Sequence, residues 1–255
     1  MGRRDRDTEQ RAFAILQHKY RLVGPFVHNK GTGIGEDNGK PDFVGSHDGT
    51  ILGIEVINIY DPDIVDGMPL RQHEAEKDAI VKKAREKAVQ IGLPPLRVEV
   101  IFTGNLPKKK CREADLADML FEIVRGNYPE PSGEICLGDM DSNDLPDEFH
   151  WIGIYRSPER QRHTWRCEDE AGDVATEFST QLQERIDAKA LKYRQYLEHC
   201  DKCWLVIAAS GDRPSSFYEF TDEMPTSRYR SPFERVFFMD VAGQIMNELT
   251  IVHTA

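Results

Sequence analysis

Asp48-Gly49 constrains what this chain can fold into more than any other dipeptide in it. The pair sits between two apolar runs in Pro41-Asp42-Phe43-Val44-Gly45-Ser46-His47-Asp48-Gly49-Thr50-Ile51-Leu52-Gly53-Ile54-Glu55-Val56-Ile57. Both central residues of a type I′ turn need positive φ, which Asp tolerates and Gly adopts freely, so the pair predicts a two-residue hairpin loop. A turn centred there pairs residues whose numbers sum to 97: Ser46 with Ile51, Val44 with Gly53, and Asp42 with Glu55. Directly opposed Cβ atoms lie about 4.5–5.5 Å apart on one face of a sheet. Two carboxylates so placed repel each other. They call for a third group: a shared proton, a basic side chain or a divalent cation.

Periodicity gives the surrounding elements. Phe13, Leu16, Tyr20 and Val23 recur at helical spacing and predict a helix over 8–22. A polar, Gly-rich segment at 24–40 follows, with a short strand near Phe26-Val27-His28, and then the hairpin of 41–60. A long helix at 70–91 stops at Gly92 before Pro94-Pro95, and Leu96, Val98, Val100 and Phe102 alternate as a strand at 96–103. A helix at 113–125, an acidic loop at 127–148 and strands near 149–155 and 163–168, read as a second hairpin, come next. A helix at 175–199 leads into Trp204-Leu205-Val206-Ile207-Ala208, a buried strand by composition, and strands near 233–239 and 243–251 close the chain.

The 255 residues carry 39% apolar and 30% charged side chains and a net charge of −11, which excludes a surface built to coat nucleic acid throughout and leaves room for a local basic groove. No run approaches the roughly 18 apolar residues of a membrane span. The opening Met1-Gly2-Arg3-Arg4-Asp5-Arg6 lacks the apolar core of a secretory signal. Five cysteines at irregular spacing do not form a disulfide framework, so the chain is expected to be cytoplasmic with free thiols.

Pro41-Asp42, a β-turn, and an apolar strand carrying Glu55 resemble the core of the PD-(D/E)XK nuclease superfamily. Gly53-Ile54-Glu55-Val56, followed later by a Lys-rich helix running into Trp204-Leu205-Val206-Ile207, is similar in layout to a family of uncharacterised bacterial proteins. The superfamily resemblance implies an α/β fold with a mixed central β-sheet flanked by helices. It also implies a restriction-endonuclease-like core at about 8–126 and 173–255 of a single domain, with an acidic loop and β-hairpin inserted at about 127–172. It implies magnesium or manganese held by Asp42 and Glu55, with Glu9 of the first helix joining the shell, and hydrolysis of DNA or RNA. The family's Lys, two residues after the Glu, is Ile57 here. In several branches that Lys has moved to a neighbouring helix. Lys189, Lys192 and Tyr196 share one helical face, and Lys192-x-x-x-Tyr196 is similar in spacing to the Gln-x-x-x-Tyr pair of RecB-like nucleases. Lys77, on the helix that follows the Glu strand, is the rival donor. Lys40 and Tyr196 are candidate substrate contacts. With Ile57 in the Lys position and the chain acidic, the competing expectation is a nuclease-fold module without catalysis that binds nucleic acid or protein.

Other motifs carry less. Gly31-Thr32-Gly33-Ile34-Gly35 with Gly39-Lys40 lacks the Ser/Thr of a phosphate loop, since Pro41 follows the Lys. Cys200-x-x-Cys203 has no second pair at matching spacing and reads as buried free thiols. Lys108-Lys109-Lys110 with Arg112, and Arg156, Arg160, Arg162 and Arg166, form two basic clusters.

Overall fold

The computed structural model describes residues 3–29, 39–62, 64–65, 68–104, 110–138, 145–168, 175, 178–220 and 227–253. Along the chain these form α1 (Arg3–Lys19), β1 (Phe26–His28), β2 (Phe43–His47), β3 (Thr50–Asn58), β4 (Ile64–Val65), β5 (Met68–Pro69), α2 (Leu70–Gln90), β6 (Arg97–Phe102) and α3 (Lys110–Gly126). There follow β7 (Glu134–Leu137), β8 (Phe149–Tyr155), β9 (Thr164–Cys167), α4 (Ser179–Ala190), α5 (Tyr193–Tyr196), β10 (Lys202–Ala209), β11 (Arg228–Ser231), β12 (Arg235–Asp240), β13 (Ile245–Glu248) and β14 (Thr250–His253). The chain divides into two compact units, 1–61 with 173–255, and 62–172. It is α/β, with a mixed sheet flanked by helices in the first unit.

The hairpin of the first unit forms as its turn chemistry dictates. Asp48 and Gly49 take φ of 49° and 76°, the signature of a type I′ turn. The register of β2 on β3 runs from His47↔Thr50 to Phe43↔Ile54, every pair summing to 97. β3 continues into a six-stranded sheet of order β1-β2-β3-β10-β12-β13, in which β10 runs parallel to β3 and β12. Buried on both faces, β3 and β10 are near-continuous apolar runs, as central parallel strands require. Ile54, Val56, Val206 and Ala208 pack with Ala12 and Leu16 of α1 on one face. Ile57, Leu205 and Ile207 pack with Leu182 and Ile186 of α4 on the other. The order α1, β1, β2, β3, then α4 and β10, is an α-β-β-β-α-β connectivity with residues 62–172 placed between β3 and α4.

The second unit is a four-stranded sheet of order β7-β8-β6-β9. Ala84 and Ala88 of α2 and Leu116 and Leu120 of α3 share a core with Val98, Val100, Ile152 and Ile154 of its strands.

Several sequence expectations change. The expected core of 8–126 and 173–255 differs from the observed division, because α2, β6 and α3 fold with the acidic segment; the element beside the Glu55 strand is β10, not β6. Strands 149–155 and 163–168 do not form a hairpin: β6 lies between them, antiparallel to β8 and parallel to β9. Val98 and Val100 of β6 are fully buried, which suits a central strand with a partner on each side. The acidic loop contains β7, a short half-buried edge strand; residues 139–144 of that loop lie outside the described residues. The helix at 175–199 breaks into α4 and α5 at Leu191 and Lys192. The break turns both Tyr193, packed edge-on against Phe233 at 5.0 Å, and Tyr196 into the core, and leaves Leu191 86% exposed.

Candidate functional site

Asp42 and Glu55 are where the register puts them, one pair beyond Phe43↔Ile54, and they are 6% and 4% exposed. Their bonds cross. The Asp42 N–H donates to Glu55 Oε2 at 3.2 Å, and the Val56 N–H donates to Asp42 Oδ2 at 2.9 Å. Gly53, across from Val44, has no room for a side chain: a Cβ there would lie 2.6 Å from Cys200 Sγ and 2.7 Å from Pro41 Cγ. Close approach at Gly53 therefore seats Pro41, and with it the start of β2, against β3.

The third group that the carboxylates call for is Lys189. Its Nζ lies 2.5 Å from Glu55 Oε1, projected from the last turn of α4. Ile57 lies on the same face of β3 as Glu55 and packs into the α4-side core, so this face of the strand carries no cation of its own. Lys189 is 24% exposed at its side chain, which leaves one side of the pair open to solvent.

Burial pushes Glu55 up to about 7, the Asp42 charge adds to the rise, and Lys189 opposes it. Tyr196 is fully buried, and its phenol is raised first by burial and then by the Glu55 charge. Its hydroxyl is directed at Glu55 and, as a donor, favours the charged carboxylate, lowering the Glu55 pKa. Cys203 pairs in register with Gly53, and the adjacent Cys200 thiol and burial raise its pKa. Cys200 donates to the Tyr196 carbonyl at 3.2 Å. Both thiols are free and buried, as the sequence suggested.

The remaining candidates separate. Glu9 is fully buried on α1, which packs on the Ile54 and Val56 face, whereas Glu55 projects to the α4 face. Among the described residues no three His, Cys, Asp or Glu side chains converge as a metal cluster. Lys192 is half-buried at the start of α5, and Lys40 is exposed two residues before Asp42. Lys77 belongs to α2 in the other unit, while the groups that act on Glu55 are Asp42, Lys189 and Tyr196. Residues 30–38 of the Gly-rich loop, and Lys108 and Lys109, lie outside the described residues. Other basic residues serve local packing: Arg97 and Arg166 both donate to Glu99 Oε1, Arg112 pairs with Glu148, and the Arg156 guanidinium lies 4.8 Å from the Tyr128 ring centre.

Sequence reasoning passed over Asn29. Its backbone N–H donates to the Asp42 carbonyl at 2.8 Å and its Nδ2 to the Pro41 carbonyl at 3.0 Å. The only signal was its place directly after a short strand.

No family model, curated protein or solved structure matches this chain. Among the described residues no helix is long and apolar enough to cross a membrane.

Proposed function

We propose that the first unit is a divergent PD-(D/E)XK-like nuclease core that hydrolyses phosphodiester bonds of DNA or RNA with magnesium or manganese. One observation carries the reading: Lys189 of α4 meets Glu55 at 2.5 Å beside Asp42, so the cation absent at Ile57 is supplied from the neighbouring helix. The mixed sheet flanked by helices, with Asp42 at the start of one strand and Glu55 in the next, supports the restriction-endonuclease-like core.

The residues fit a hard divalent cation, since two buried carboxylates balanced by one ammonium offer the oxygen ligands that magnesium prefers, with water or phosphate completing the shell. Asp42 and Glu55 would hold it. Bound there, it would polarise a phosphoryl oxygen and lower the pKa of a coordinated water. Lys189 places a positive charge at the open side of the pair, where it would stabilise negative charge developing on the phosphate. Tyr196 and Ile57 close the inner side against water. Lys40 is a candidate contact for the substrate backbone. Free thiols at Cys136, Cys167, Cys200 and Cys203 support a reducing compartment such as the cytoplasm.

The competing reading, a nuclease-fold binding module, is favoured by the same contact seen from the other side: the Lys189–Glu55 pair neutralises Glu55 by itself. Manganese titration of the wild type and Glu55→Ala, followed by cleavage assays on single- and double-stranded DNA and RNA, separates the two. The nuclease reading expects saturable binding that is lost in E55A, and cleavage lowered about 10²–10³-fold by Lys189→Ala. Binding of nucleic acid without cleavage in either metal would select the module.

A further inference from the structure

We infer that Asn29 is the positioning residue of the carboxylate site: it fixes the backbone on both sides of Asp42 and so aims the Asp42 carboxylate. This rests on the metal reading above. β1 pairs with β2 from Phe26↔Gly45 to His28↔Phe43, so the next rung falls on Asn29 and Asp42, and the Asn29 N–H makes it at 2.8 Å. The residue before Asp42 is Pro41, which has no N–H to give to a ladder. Its carbonyl instead accepts the Asn29 side-chain amide at 3.0 Å.

The two carbonyls held by Asn29 flank the Asp42 α-carbon, so together they set its φ and ψ and hence the direction of its Cα–Cβ bond. Further restraints come from β3, through Asp42 N–H on Glu55 and Val56 N–H on Asp42 Oδ2, and from Phe43, stacked between Phe13 of α1 at 4.1 Å and His28 of β1 at 4.6 Å. Without the Asn29 amide, the Pro41 carbonyl loses this donor, and the β1 ladder beyond His28↔Phe43 is reduced to the Asn29 N–H rung. Residues that orient metal ligands commonly change affinity by about 10–100-fold when removed.

The test uses manganese alone, with calorimetry and the electron paramagnetic resonance spectrum of the bound ion. The variants are Asn29→Ala and Asn29→Leu; the latter keeps the bulk of the half-buried side chain and removes only the donor. Both are expected to bind manganese about 10–100-fold more weakly than wild type, with an altered bound-ion spectrum. The metal-free unfolding midpoint of Asn29→Leu is expected to fall only by the one hydrogen bond lost, and to fall no further than that of Asn29→Ala. Wild-type affinity in both variants, or weaker affinity with an unchanged spectrum, overturns the role of Asn29 and leaves the metal reading standing. A wild type that binds no manganese, or a Glu55→Ala variant that binds it as the wild type does, overturns the metal reading and this assignment with it.

Discussion

Glu55→Gln in metal-free protein should change the pH dependence of folding, and the sign follows from the geometry. Glu55 is 4% exposed and its folded-state pKa rises from 4.5 to about 7, through burial first and the Asp42 charge second. A carboxyl group raised in this way gives its full stabilising contribution below 4.5, where both states are protonated, and loses it as pH rises through 7. A shift of this size corresponds to about 3 kcal/mol across the whole range, most of which falls between pH 5 and pH 8. Gln cannot ionise and lacks that loss. The assay is urea unfolding with chelator at pH 5 and pH 8, in a background with Trp151→Phe and Trp165→Phe, which leaves Trp204 of β10 as the fluorescent reporter of the first unit. The E55Q variant should gain roughly 2–3 kcal/mol on the parent between pH 5 and pH 8. A stability difference that is the same at both pH values would falsify the premise that the fold holds Glu55 back from ionising.

Two further perturbations test the frame that carries the pair. Gly53→Ala would place a methyl group 2.6 Å from Cys200 Sγ and 2.7 Å from Pro41 Cγ, and should cost about 1–3 kcal/mol by overpacking. Adding Cys200→Ala should return part of that loss, and strictly additive effects in a double-mutant cycle would show that the two residues do not share the space. Gly49→Ala, at φ 76° with nothing near its α-carbon, should destabilise the hairpin through backbone strain alone, by about 1–2 kcal/mol. An unchanged unfolding midpoint would count against the type I′ turn.

What the sequence made legible was local. The turn chemistry of Asp48-Gly49 fixed the register, and the register fixed Asp42 against Glu55, because a period of two leaves no freedom once the turn is set. The partner of β3 was not legible. β6 and β10 are both apolar runs following a Lys-bearing helix, and pattern alone cannot tell which of them lies beside Ile54-Glu55-Val56. The parallel partner lies about 150 positions away in sequence, with Leu205 opposite Glu55, and no turn specifies such a pairing. The choice between Lys77 and Lys189 turned on the same ambiguity. The break at Leu191 escaped notice because neither Gly nor Pro marks it.

The charge balance of the site explains why these features occur together. Two opposed carboxylates under apolar cover are costly, and the Lys189 ammonium at 2.5 Å and the raised pKa of Glu55 each offset part of that cost. A structural role alone would be met at lower cost by apolar residues in a strand otherwise made of Ile54, Val56 and Ile57. Instead Asp42 is tied to the hairpin backbone through Val56, to the edge strand through Asn29, and to Glu55 through its own N–H. Such rigidity is what a preorganised binding site requires. The manganese titration decides whether a divalent metal is the ligand it serves.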